Sequence, residues 1–66
     1  MIVNDIVNLM DGFTNLRVMK YIDEFDRFMD VFSTSYSQWE DIPYDVADLE
    51  VTRISIDNNT LVLECE

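Results

Sequence analysis

Glu40, Asp41, Asp45, Asp48 and Glu50 place five carboxylates within eleven residues, with Trp39 just before them, Tyr44 among them and no basic residue between. Such a run can hold a divalent cation, supply a general acid and base, or attract a cationic surface. Asp41, Asp45 and Asp48 would share one face of a helix, and Asp23, Glu24 and Asp26 cluster in a turn. Neither group matches the Asp-x-Asp/Asn-x-Asp/Asn-Gly loop that folds carboxylates around calcium. A catalytic carboxylate pair needs a concave substrate site, which so short a chain hardly offers. With no histidine the commonest general base is missing, and no glycine-rich phosphate loop is present. Cys65 falls on an apolar strand face in negative surroundings, which raise a thiol pKa and suit a small core residue rather than a nucleophile. The expectation is no enzyme, no cofactor and no metal site. Attraction of a cationic surface remains.

The whole composition points the same way. Fourteen Asp and Glu against four Lys and Arg give a formal charge of −10 in 66 residues. Self-repulsion of that size disfavours compaction. Yet 48% of the residues are hydrophobic, with four Phe, three Tyr and one Trp against one Gly and one Pro, unlike a disordered chain. From Glu40 onward there are eight carboxylates and one base, Arg53, so this stretch holds seven of the ten net charges. Duplex DNA carries one charge per about 3.4 Å along each strand, and a β-strand rises about 3.3 Å per residue. Outward carboxylates on strands and short helices can therefore approximate a line of phosphates. A basic nucleic-acid groove would accept such a line, in a complex that weakens steeply with salt. Trp39 and Tyr44, ringed by charge, suit anchoring residues of a contact. The competing account is that the charge serves only solubility and that Trp39 caps a small core.

A chain of this length makes one small domain, 1–66, and buries only about 60% of the surface its unfolded form exposes. Small domains usually add a disulfide, a metal or a second copy of themselves. Cys65 is alone, which fits a reducing cytosol and leaves a homodimer as the available staple. The N-terminus lacks the basic start and apolar run of a secretory signal, and no apolar run approaches the roughly 20 residues that span a bilayer. An acidic surface is also repelled by anionic lipid. The expected location is the cytoplasm, with no membrane and no direct nucleic-acid contact.

The elements that must position these groups begin at the C-terminal end. Asn58-Asn59 suits a two-residue type I′ turn between Val51–Asp57 and Thr60–Glu66. That register sets Ile56 opposite Leu61, Ile54 opposite Leu63 and Thr52 opposite Cys65 on one side. Arg53 then faces Glu64, and Ser55 faces Val62, on the other. Ile2, Ile6, Leu9 and Met10 recur at helical spacing, with Gly12 placed to cap the C-terminus and Phe13 to fold back on it. Asn4 and Asp5 suit the helix start. The middle supports two accounts: Val18, Tyr21, Ile22, Phe25, Phe28, Met29 and Phe32 follow helical spacing, whereas Leu16–Ile22 and Phe32–Tyr36 also alternate as strands around a turn at 23–27. Asp41-Ile42-Pro43 ends the preceding element and opens a short helical turn.

Asp5-Ile6, Leu9-Met10-Asp11-Gly12, Asp41-Ile42-Pro43-Tyr44, Leu49-Glu50-Val51 and Leu61-Val62-Leu63-Glu64 resemble the pattern of small acidic proteins encoded by phages and prophages of Gram-positive bacteria. That pattern runs from a short helix ending in Asp-Gly, through a hairpin and an acidic-Ile-Pro turn, to a closing hairpin. The resemblance favours strands in the middle, although 23–38 lacks the usual turn glycine. The expected fold is α+β: helix 2–11, strands 15–22 and 29–37, a helical turn 43–48, and a hairpin of 50–57 with 60–66. The helix would pack on a small antiparallel sheet of about four strands. The expected core is Ile6, Leu9, Met10, Leu16, Val18, Phe32, Ile42, Val46, Leu49, Ile54, Ile56, Leu61 and Leu63, with Val62 and Met29 turned outward toward a possible second copy.

For function, the resemblance implies an anti-CRISPR or other anti-defence inhibitor. Its partner would be a basic host protein such as a CRISPR effector or another nucleic-acid-binding defence protein. Trp39, Glu40, Asp41, Tyr44, Asp45, Asp48 and Glu50 would make the contact. The alternative is a homodimeric structural or regulatory phage accessory protein whose acidity serves only solubility.

Overall fold

The computed structural model describes residues 1–10, 15–35 and 42–66. The elements run α1 (Val3–Val7), β1 (Asn15–Ile22), β2 (Arg27–Thr34), α2 (Tyr44–Ala47), β3 (Val51–Asp57) and β4 (Thr60–Cys65). The fold is α+β, as the sequence predicts, and the middle is a hairpin rather than a helix. The strand order is β2-β1-β4-β3. Both hairpins are antiparallel, but β1 and β4 run parallel at the centre, so the sheet is mixed and not antiparallel throughout.

The parallel ladder sets Leu16 beside Leu61, Val18 beside Leu63 and Lys20 beside Cys65. Leu16, Val18, Leu63 and Cys65 are buried there, under Val3 and Ile6 of α1 and Val46 of α2. Both helices therefore lie on the same face of the sheet, and they touch one another. Met10, Phe32, Ile42, Leu49 and Leu61 pack around this centre, half-buried. Thr34, opposite Leu16, is the buried polar residue beside it.

Helix α1 is shorter than 2–11 and presents a different stripe. Ile2 is extended (φ −96°, ψ 164°) and pairs with Glu50 in an isolated bridge, so the helix starts one residue later. The Asp5 carboxylate accepts a hydrogen bond from the Ile2 N–H at 3.1 Å, satisfying one donor at the helix start. The buried face is then Val3 and Ile6, with Val7 and Met10 packed beside them. Beyond Val7 the bonds tighten to Leu9 N–H on Ile6 and Met10 N–H on Val7. Leu9 is nonetheless 81% exposed, so the stripe that meets the core is Val3, Ile6, Val7 and Met10. The expected Gly12 cap and Phe13 contact, and Asp11, lie outside the described residues.

The turns fall where the sequence puts them. Asn58 and Asn59 take φ of 49° and 62°, the two left-handed positions of a type I′ turn. Between β1 and β2 the turn is 23–26, and Asp26, with φ 51°, occupies the position that a turn glycine would. Aspartate tolerates this region because its short polar chain bonds locally, and the Tyr21 hydroxyl donates to its carboxylate. Strand β2 begins at Arg27 and ends at Thr34, two residues earlier than expected at its start; positions 36 and 37 lie outside the described residues.

The closing hairpin keeps its expected register from Asp57 to Arg53, including Arg53 opposite Glu64. A bulge then inserts Thr52, so Val51 and not Thr52 faces Cys65. The Thr52 hydroxyl instead donates to the Glu64 carbonyl at 3.1 Å. Ile54 and Ile56 point to the core side as predicted, yet they are not core: they are 51% and 77% exposed. They lie further along an edge strand, beyond Val51, the β3 residue that packs on the core. Val62, expected to face outward, does alternate to the opposite side from Leu63, but is buried in mid-sheet between Arg17 and Ser55.

Leu63→Ala removes a fully buried side chain from the central ladder and should cost about 2–5 kcal/mol. The whole fold is worth about 3–10 kcal/mol at this length, so the urea midpoint of the variant should fall by about half. Ile56→Ala should shift the same transition by less than about 0.5 kcal/mol.

Candidate acidic interface

The sheet face away from the helices is close to neutral, with Arg17 and Arg53 against Asp30, Asp57 and Glu64. Arg17 lies on it and donates from Nε to Asp30 Oδ1 at 2.6 Å and from Nη2 to Oδ2 at 2.9 Å, a bidentate pair. The bulge that skips Val31 allows this, because it brings Asp30 opposite Met19 and onto the Arg17 side. Tyr21 and Phe28 meet edge to face on the same side, 5.4 Å between ring centres. Arg53 and Glu64 stand opposite each other across β3 and β4. Two of the four basic side chains thus lie among carboxylates on this face.

The uncompensated acid lies elsewhere. On α2, Tyr44 is 90% exposed, and Asp45 and Asp48 are exposed beside it. Asp48 follows the last helical residue, and its N–H bonds the Tyr44 carbonyl at 3.1 Å. This helical turn holds the three side chains on one short, rigid unit anchored by Val46 and Ala47, both buried. Glu50 is the exception among the predicted contact residues: its carboxylate accepts from the Met1 amino group at 2.8 Å. Trp39, Glu40 and Asp41 lie outside the described residues.

A second acidic group was not legible as a unit in the sequence. Because β1 and β4 run parallel, the 23–26 turn and Glu66 emerge at the same end of the sheet. Lys20, Tyr21, Asp23 and Glu66 line a hollow of about 360 Å³ there. The Glu66 N–H bonds the Glu50 carbonyl at 3.1 Å, tying that end to the start of β3. Asp23, Glu24, Asp26, Glu50 and Glu66 therefore gather at one pole, and Asp48 is two residues from Glu50. The only signal in the sequence was the Asp23/Glu24/Asp26 cluster; its neighbours depend on strand order. Among the described residues the ion pairs are Met1 with Glu50 and Arg17 with Asp30, and no three of His, Cys, Asp and Glu gather as metal ligands.

Protonation follows these contacts. The bond from Arg17 holds the Asp30 carboxyl below its ordinary value, with the guanidinium charge adding to it and slight burial opposing. Donation to Asp26 raises the Tyr21 phenol, aided by burial and by Asp23. Burial, rather than negative surroundings, raises the Cys65 thiol. No helix of the described residues is long and apolar enough to cross a membrane. Comparison with known proteins finds no matching family model, curated protein or solved structure.

The Arg17–Asp30 pair has a defined pH signature. A carboxyl whose pKa is lowered on folding stabilises the fold above its unfolded value, about 3.9. That contribution disappears as pH falls through the lower folded value. Arg17→Met should move the Asp30 titration, followed by side-chain carboxyl NMR, up toward the ordinary aspartate value. Its loss of thermal stability at neutral pH should vanish in strong acid.

Proposed function

We propose that this protein is a binding module that occupies a basic, nucleic-acid-handling surface of another protein, as a phage-type anti-defence inhibitor would. The observation that carries the reading is Tyr44, 90% exposed, beside Asp45 and Asp48 with no cation paired to either carboxylate among the described residues. An exposed aromatic ring among unpaired charges has the makings of an anchored electrostatic contact. The pole formed by Asp23, Glu24, Asp26 and Glu66 extends the acidic surface beyond α2, and Trp39, Glu40 and Asp41 precede α2 in the chain. Glu50 contributes less than its sequence position suggests, because the Met1 amino group already offsets it. The net charge of −10 would speed encounter with a cationic groove and make the complex sensitive to salt. The resemblance to small acidic phage proteins supports the same class of partner, a CRISPR effector or another defence protein that grips nucleic acid.

The test is cleavage of target DNA by a panel of CRISPR effectors, with and without the protein, at low and elevated salt. At least one effector should be inhibited, more strongly at low salt. Asp45→Lys/Asp48→Lys should weaken that inhibition at least about tenfold, because two contacts change from attraction to repulsion. Its melting temperature should stay close to that of the parent, since both side chains are exposed. Inhibition unaltered by the double substitution would remove the acidic surface as its cause.

A further inference from the structure

We infer that β3 is a self-complementary edge and that two copies pair there, antiparallel, about a two-fold axis through Ser55. This goes beyond the acidic-interface reading and does not depend on it. At its start the Val51 N–H of β3 bonds the Met1 carbonyl at 2.8 Å; from Arg53 to Asp57 the strand bonds only β4 among the described residues, so its other edge is open there. The type I′ turn makes Asp57 and Thr60 a hydrogen-bonded pair, and bonded pairs alternate along the ladder. Asp57, Ser55 and Arg53 therefore direct their backbone groups to β4. Ile54 and Ile56 direct theirs outward, to the open edge.

Only registers that bring outward residue against outward residue can form the new ladder, so the axis must pass through a residue and not between two. An axis at Arg53 would set Arg53 against itself. Axes at Ile54 or Ile56 leave Arg53 and Asp57 without a charged partner. The axis at Ser55 sets Ile54 opposite the second copy's Ile56 and Arg53 opposite its Asp57, each contact occurring twice. The isoleucine pairs are the hydrogen-bonded ones. The Arg–Asp pairs fall at the closer, non-bonded positions that favour side-chain contact.

The side chains concerned are free to meet. Ile54 and Ile56 are 51% and 77% exposed on the helix side of the sheet. Arg53 and Asp57 are exposed on the opposite side, and neither is in an ion pair among the described residues. One register thus covers the exposed isoleucines and neutralises four charges. The bulge at Thr52 and the turn at Asn58 confine the ladder to residues 53–57. That contact is smaller than the usual interface of about 1,200–2,000 Å², so the pair is weak and forms at high protein concentration. The opposite edge, β2, is interrupted by its own bulge at Val31, a device that discourages edge pairing.

Cysteine cross-linking at high protein concentration, in salt that screens the two bodies from one another, reads the register directly. Across the axis Ser55 meets its own copy at a non-bonded position. The Cβ separation there, about 4.5–5.5 Å at the near end of its range, approaches the ~3.5–4.5 Å of a disulfide. Mild oxidation of Ser55→Cys should give a disulfide-linked dimer at least about tenfold faster than Arg53→Cys or Asp57→Cys alone. Mixing the Arg53→Cys and Asp57→Cys chains should restore cross-linking, in the mixed dimer only. Cys65 is fully buried and supplies no background. A charge exchange gives an independent readout: Arg53→Asp and Asp57→Arg should each sediment as monomers and associate when mixed. Equal rates at positions 53, 55 and 57, or no faster linkage at 55, would overturn the inference. These outcomes are independent of whether any basic partner is bound.

Discussion

Everything in this fold follows from the parallel pairing of β1 with β4. These strands are consecutive in neither chain order nor hairpin, yet together they supply Leu16, Val18, Leu63 and Cys65 to the core. Placing them side by side drives their hairpin partners, β2 and β3, to the two outer positions. The chain leaving β2 must then cross the sheet to begin β3. Three strand spacings separate them, about 14 Å, and α2 lies on that crossing over the same face as α1. The two helices and the ladder make one small core. The opposite face is left to polar and aromatic pairs such as Arg17 with Asp30 and Tyr21 with Phe28.

That constraint also decides which parts of the molecule are readable in the chain. Hairpin β3–β4 was legible because its information is local: a two-asparagine turn, alternating apolar residues and one opposite-charge pair share a register. Hairpin β1–β2 was legible only against a competing helical period, and its missing turn glycine is replaced by Asp26 at φ 51°. The parallel ladder was not legible, since nothing in Leu16–Ile22 or Leu61–Cys65 specifies a neighbour more than forty residues away. Its absence explains the errors in the expected core. Alternation puts Ile54 and Ile56 on the core side, but burial needs a cover. A five-residue helix is about 7.5 Å long, too short to roof a sheet about 19 Å wide from first strand to beyond the fourth. Val51 still reaches the core, but Ile54 and Ile56 of β3 are left outside that roof.

The candidate interface divides in the same way. Tyr44, Asp45 and Asp48 could be placed from the acidic-Ile-Pro start and one helical turn, all of it local. The pole of Asp23, Glu24, Asp26, Glu50 and Glu66 depends on two strands ending together, which is again the parallel ladder. Compensation was harder still to foresee. The Met1 amino group and Glu50 are 49 residues apart in sequence and meet because Ile2 pairs with Glu50 at the sheet's edge.

Charge opposes self-pairing in a protein of −10, and the direction of the strands is what reconciles them. Glu50 lies five residues from Ser55, about 17 Å along an extended strand. An antiparallel pair about Ser55 sends the two acidic poles to opposite ends, about 33 Å apart, or roughly four screening lengths at physiological salt. A parallel pairing would set the poles side by side and suffer their full repulsion. The charges that do approach at the axis are Arg53 and Asp57, which attract. Two copies joined this way would keep Tyr44, Asp45 and Asp48 clear of the β3–β3 seam, because these lie on α2 and not on the strand edge. On the two proposals together, the acidic surface and the β3 edge would be usable at once, offering a basic partner two equivalent contacts in place of one. Linked contacts of that kind bind more tightly than either alone when the partner's own sites match their spacing.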